Sequence, residues 1–433
     1  MVNDSASTLA RMREEWASGW CSEALSLRIA DTIGCAVGGR SSELWRDLGT
    51  ITQLHPGTSP VWGTSSTASV HHAALRNGTA VRCLDFSDTY LSVEAVHPSD
   101  VIAPVLAAAS QASVRHRRVL EAVNIAYESV CRLADVLPIR TAGLDGVTLV
   151  RIAVANGVSW LLGLDVDAAR QAVGIACARG AELLVTRLGA LQEWKNVAGA
   201  AAGADGIQAV EAARAGIRGP ERPFESSGGL FDLLGGGAPV PTDSRSRVSS
   251  TIIKRYPAQI FVQAPIAVAE ELSTVVRAED VARVEIRTFR YAVASSAADS
   301  AKWHPVNRAT ADHSLPYCFG LPLVLGGFDW DLDRHLDDQR LLDLMSRITV
   351  LEDPDATARY PAELRYDVDV VDRRGGSHSV QRRATPYCGV GEVAEKFQRL
   401  GGSAEQLASV LSWRLRPSAL FDAAALLAAT GHD

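Results

Sequence analysis

At 433 residues, with 47% hydrophobic side chains and a mean hydropathy near zero, the chain is an ordinary globular protein long enough for two domains. A net charge of −7 argues against nucleic acid or an anionic membrane as partner, and leaves room for a local basic pocket that takes an acidic small molecule. Seven scattered cysteines without a C-x-x-C pair point to reduced, mostly buried thiols in a cytoplasmic protein and argue against a zinc site.

The first residues, up to Arg11, Arg13, Glu14 and Glu15, lack the apolar core of a signal peptide, and no apolar helix reaches membrane-spanning length before a charge interrupts it. Ser22-Glu23-Ala24-Leu25 opens an amphipathic helix that ends near Gly38-Gly39. Next come Leu84-Asp85-Phe86-Ser87-Asp88-Thr89-Tyr90 and His97-Pro98-Ser99-Asp100, which gather carboxylates, a histidine and hydroxyls in what reads as an irregular loop. The loop runs into a helix over residues 99–113, so polar side chains stand at a helix N-terminus, where the dipole favours an anion. Residues 119–133, 147–162 and 166–180 read as further helices, and 196–213 is so rich in alanine that it predicts a helix packed closely inside a bundle.

Residues 216–250 are punctuated by Pro220, Pro223, Gly228-Gly229 and Gly235-Gly236-Gly237 and read as loops. The glycines fit no phosphate-binding pattern, so no nicotinamide, flavin or ATP site is indicated. After a helix over 266–276 the period shifts to two. Residues 284–289, 347–351 and 365–371 read as strands, and Arg373-Arg374-Gly375-Gly376 as a hairpin turn into 377–383. Helices return at 391–399, 404–412 and 420–429. The architecture expected is mainly α: a large all-helical domain, residues 1–250 plus 391–433, with a smaller α+β lid domain, residues 251–390, inserted into it. The cleft between two such domains is the natural ligand site.

Five places carry chemistry-capable side chains. Asp85 and Asp88, three apart, would share a face in a helical turn and could act as a base or orient one; a loop aspartate equally caps a helix. Pro98 favours an extended backbone at His97 and so restricts its imidazole, which is either an acid/base or a structural histidine. Lys195, entering the alanine-rich helix, is either a charge for a substrate carboxylate or a lysine that keeps its ammonium in water. Lys254-Arg255 beside Pro257 could clamp a di- or tricarboxylate, or form a solvated hinge. In Ala311-Asp312-His313-Ser314-Leu315-Pro316-Tyr317, Tyr317 could donate a proton or hold an oxyanion, while Asp312 and Ser314 equally suit a capped helix start.

Taken in order, these stretches resemble the MmgE/PrpD family, which includes 2-methylcitrate dehydratase and cis-aconitate decarboxylase. The resemblance rests on Asp31-Thr32-Ile33-Gly34-Cys35-Ala36, Asn77-Gly78-Thr79-Ala80, the Asp85 and His97 segments, Ala126-Tyr127-Glu128, Trp194-Lys195, Gly216-Ile217-Arg218-Gly219-Pro220, residues 254–258 and residues 312–317. It implies a helical domain plus an α+β lid, a homodimer, and a lyase free of cofactor and metal that acts on a small carboxylic acid. Catalytic positions carried over are Asp85, His97, Lys195, Lys254 and Tyr317; Arg82, Asp88, Ser99, Arg187, Gln263 and His313 are named as substrate-binding.

Three positions depart from the family pattern. Arg82 stands where the family commonly has histidine, Gly146 ends what is elsewhere Gly-Leu-Asp-His, and Phe261 replaces a further histidine. A pocket so altered suits a less charged or more apolar substrate. The chemistry implied is proton removal next to a carboxylate, with His97 as acid/base oriented by Asp85, the lysines on carboxylates and Tyr317 as proton donor. Dehydration is the expected outcome; decarboxylation or epimerisation of a non-citrate acid shares the same intermediate, and a non-catalytic binding protein of the same fold is the third reading.

Overall fold

The computed structural model describes residues 4–385 and 387–424. It divides into two compact units, one of Met1–Leu184, Asn196–Ile253 and Cys388–Asp433, the other of Val185–Lys195 and Lys254–Tyr387. The segment 185–195, which includes the first residues of the helix Trp194–Arg214, groups with the second unit, an assignment that sequence pattern did not suggest.

The first unit is built of helices. Glu23–Gly39, Val70–Arg82, Ile102–Ala109, His116–Ala134, Thr148–Leu161 and Val166–Ala178 follow one another, with Val390–Arg399 and Ala404–Leu411 returning against Glu23–Gly39. Ser22, Ser69 and Asp165 cap their helices by accepting backbone N–H bonds, which satisfies donors that the first turn leaves unpaired. The alanine-rich helix Trp194–Arg214 packs closely, as its composition predicts: a Cβ on Gly78 would lie 2.7 Å from the Cβ of Ala200. Two short N-terminal helices, Ser5–Arg11 and Arg13–Ala17, and Glu43–Gln53 were not legible as separate elements. The helix expected over 420–429 lies mostly outside the described residues; Leu420 instead pairs as an isolated bridge with Arg115.

The second unit is α+β. Its four-stranded sheet has the order Ile348–Glu352, Val281–Thr288, Tyr366–Asp372, Ser377–Arg382, with the first pair parallel and the others antiparallel. The hairpin turn forms as expected: Gly375 takes a φ of +87°, and the Asp372 carboxylate accepts N–H bonds from Arg374 and Gly376. The helix Leu315–Leu325 is apolar all round and packs against Gln263–Ser273. A cluster of Phe261, Phe289, Tyr291 and Tyr360 fills part of this unit's core, with ring centroids 4.8–5.6 Å apart in the closest pairs.

Candidate active site

In the helical unit the helix Val70–Arg82 ends at Arg82, and the chain turns sharply at Asp85, whose φ of +46° lies in the left-handed region. Aspartate tolerates that region better than most side chains, yet an outlier of this kind persists only where its surroundings hold it. Because the left-handed residue breaks the helix, Asp85 and Asp88 do not share a helical face. Lys396 supplies part of the hold: its ammonium pairs with Asp31 at 2.6 Å, donates to the Phe86 carbonyl at 2.8 Å, and sits 3.6 Å from the centre of the Phe86 ring. Burial raises the Asp31 carboxyl, an effect that Lys396 opposes, and Asp31 in turn raises the Lys396 ammonium.

Asp88 is a hub. Its carboxylate accepts from the Tyr127 hydroxyl at 2.6 Å and from the Ser99 backbone N–H at 3.1 Å, and its backbone carbonyl lies 2.8 Å from Nδ1 of His97. A carbonyl only accepts, so a proton sits on Nδ1, and in the uncharged ring the lone pair is at Nε2. His97 is thus held by the main chain of Asp88, with Thr89 Oγ1 a further 3.3 Å contact. Its backbone is extended, φ −109° and ψ 90°, as the following proline requires. Thr89 is itself pinned by two backbone hydrogen bonds to Ile252.

Arg82 is buried, donates to Ser87 Oγ at 3.1 Å and faces Asp100 at 3.6 Å. Its guanidinium therefore braces the loop from both sides. Asp100 has room because residue 199 is glycine: a Cβ there would come within 2.7 Å of the carboxylate. Ser99 Oγ is buried and has no hydrogen-bond partner among the described residues, which leaves a hydroxyl for a ligand. Gly146 sits under the segment that leads to His97, where a Cβ would lie 3.1 Å from the Ala95 carbonyl, a contact that the neighbour must relieve by a few tenths of an ångström.

In the α+β unit Lys195 is buried and threefold engaged. Its ammonium lies 2.8 Å from Asp312 Oδ1, 3.2 Å from the Ala309 carbonyl and 3.0 Å from Nδ1 of His313. His313 Nδ1 is also 2.5 Å from Asp312 Oδ1, so one ring nitrogen faces both an ammonium, which donates, and a carboxylate, which accepts. Arg187 donates to the Lys195 carbonyl at 3.1 Å and so fixes the helix start, and a recess of about 70 Å³ beside it is lined by residues including Leu188, Trp194 and Lys195. That volume suits a group the size of a carboxylate.

Lys254 is fully buried, whereas Arg255 is exposed. Neighbours on an extended segment point to opposite sides, so the pair is not a two-cation clamp. Gln263 is committed to the main chain: its Oε1 accepts from the N–H groups of Arg255 and Tyr256, and its Nε2 donates to the carbonyls of Tyr256 and Ala258. Its role here is to shape the turn after Lys254. The Tyr317 hydroxyl donates to the Leu332 carbonyl at 2.7 Å, and burial holds its pKa far above the ordinary value, so the phenol stays neutral. Ser314 caps the helix Leu315–Leu325, the structural alternative weighed for this stretch. Phe261 belongs to the aromatic core cluster, so its ring does not add an apolar wall to a binding pocket, contrary to expectation.

Four side chains were not assigned to the site from the sequence. Tyr127 and Asp312 lie in the motifs quoted above, and Lys396 near none, but only their contacts reveal what they hold. Lys302 is buried, and nothing in its local pattern distinguishes it from a surface lysine.

The sequence pattern of the MmgE/PrpD N-terminal domain matches residues 9–243 and that of the C-terminal domain residues 256–407. Similar proteins include the 2-methylcitrate dehydratase of Cupriavidus necator, 29% identical over 80% of this chain and 77% of its own length. The 2-methylcitrate dehydratase of Salmonella typhimurium is 27% identical over 77% of this chain and 74% of its own. The 2-methylcitrate dehydratase-like protein oryR of Aspergillus oryzae is 29% identical over 77% and 73%.

Proposed function

The chain belongs to the MmgE/PrpD family, and on that premise we propose that it is a cofactor-independent hydro-lyase that removes water from a small hydroxy-carboxylic acid. The observation that carries this reading is the 2.8 Å contact of His97 Nδ1 with the Asp88 carbonyl, which keeps a proton on Nδ1 so that in the uncharged ring Nε2 is the base. Nε2 takes the proton from the carbon next to a substrate carboxylate. The C–H electron pair moves into that carboxylate, and Lys195 and Lys254 stabilise the charge that develops. The pair then forms the carbon–carbon double bond as the β-hydroxyl leaves with a proton as water. Tyr317 is the proposed donor of that proton, and it serves only when its hydroxyl exchanges the Leu332 carbonyl for the leaving group. Asp85 supports the imidazolium, and Arg82, Asp88, Ser99, Arg187 and His313 shape or contact the substrate's surroundings.

The test is turnover of 2-methylcitrate, citrate and related hydroxy acids, followed by absorbance of the unsaturated product. His97→Ala and Lys195→Ala are each expected to lose about 100-fold or more. Wild-type rates in both variants would end the proposal. A second reading, an isomerase or decarboxylase on a non-citrate acid, is favoured by Gly146, which lacks the imidazole of the methylcitrate branch; it predicts no dehydration of any of these acids.

Cysteines outside any disulfide support a cytoplasmic setting, and the family resemblance supports a homodimer, which light scattering would report as twice the chain mass. Among the described residues no helix is long and apolar enough to cross a membrane.

A further inference from the structure

We propose that Lys302 is a specificity-determining residue whose buried ammonium, acting beside Lys195, receives a second carboxylate of the substrate. Lys302 ends the short turn Ser300–Lys302 and is 2% exposed. Its ammonium carries three N–H donors, yet it has no hydrogen-bond partner among the described residues. Its backbone carbonyl accepts from Ser314 Oγ, which ties it to the segment that carries Asp312 and His313.

Lys302 adds a second buried ammonium to the cluster in which Lys195 is paired with Asp312 at 2.8 Å. Lys302 lies within electrostatic reach of both and adds a positive charge that no carboxylate contacts within 4 Å among the described residues. A buried, unpaired charge is costly to the folded protein and is retained where a ligand completes it. Burial and the repulsion of Lys195 lower the Lys302 pKa to about 8, against the weaker opposing pull of Asp312, Asp299 and Cys318. The ammonium is therefore charged at neutral pH and loses its proton in mild alkali. A monocarboxylate needs only one cation. A di- or tricarboxylate would satisfy Lys302 as well, which narrows the substrate class of the proposed lyase.

This inference rests on the hydro-lyase reading for the kind of substrate, so its test reads binding without turnover. Calorimetry compares citrate with lactate on the wild-type protein, Lys302→Met and Lys302→Arg at neutral pH. Citrate affinity is expected to fall about tenfold or more in Lys302→Met, to recover in part in Lys302→Arg, and lactate affinity to stay unchanged. In the wild type, citrate affinity is expected to fall as the pH rises through about 8, a measurement that needs no variant. Citrate affinity that is undetectable in the wild type, equal in Lys302→Met, lost in parallel with lactate, or flat to about pH 10 overturns the proposal. Citrate binding that depends on Lys302, with no dehydration of any acid, would leave the proposal standing and remove the hydro-lyase reading alone.

Discussion

At the scale of single residues, backbone and side chain make separate demands at Asp85. Its left-handed φ of +46° suits asparagine as well as aspartate, so Asp85→Asn is expected to melt within a few degrees of the wild type while losing most turnover. A variant that kept full activity would show the carboxylate to be structural. Gly146 is the reverse case, a position set by space. Restoring the histidine of the related branch presses a Cβ against the Ala95 carbonyl at 3.1 Å, and Gly146→His is expected to cost about 1–3 kcal/mol in chemical denaturation. Lys302 carries its own pH signature. Folding lowers its pKa from an ordinary 10.5 to about 8, so between those values the unfolded chain binds more protons and stability rises with pH. Below about 8 both states are charged and the whole penalty of burial remains. Lys302→Met should lack this alkaline rise, and its melting temperature at neutral pH should be no lower than that of the wild type.

At the scale of elements, the loop that carries Asp85 and Asp88 hangs on helices far from it in sequence. Asp31 comes from Glu23–Gly39 and Lys396 from Val390–Arg399, and their pair reaches the loop through the Phe86 carbonyl. Removing one partner strands a buried charge, so Lys396→Met is expected to lose about 3–5 kcal/mol, whereas an Asp31→Leu, Lys396→Met double variant should recover much of that. Equal losses in the single and double variants would mean that packing against Phe86, not charge, is what Lys396 supplies. The Asp88 hub works similarly: Tyr127 on His116–Ala134 and the Ser99 N–H hold its carboxylate, and its carbonyl then sets the imidazole. Tyr127→Phe is expected to lower turnover more than it lowers stability, since it loosens the residue that aims His97.

For the molecule as a whole, the two units divide the named residues. Arg82, Asp85, Asp88, His97 and Ser99 belong to the helical unit, and Arg187, Lys195, Lys254, Gln263, His313 and Tyr317 to the α+β unit. The thiols report on the same folded state. Of the seven cysteines, none in a disulfide, only Cys21 is exposed, and burial raises the thiol pKa of Cys131 and Cys177. Brief treatment with a maleimide at neutral pH should modify one site in the native protein and all seven after denaturation. Rapid native labelling at Cys131 would contradict the packing of the helix His116–Ala134.

The periodicities of helix and strand, the hairpin at Gly375 and the family motifs were all legible in the sequence, because each is written in neighbouring residues at a fixed spacing. The extended backbone of His97 was legible for the same reason, since Pro98 imposes it locally. Only the tertiary structure decided that Asp88 aims the imidazole, that Gln263 serves the main chain, that Phe261 lies in an aromatic core and that Lys302 is buried without a partner. These depend on which groups distant segments bring together. A side chain's charge state and free valences are properties of that company, and no stretch of neighbouring residues encodes them.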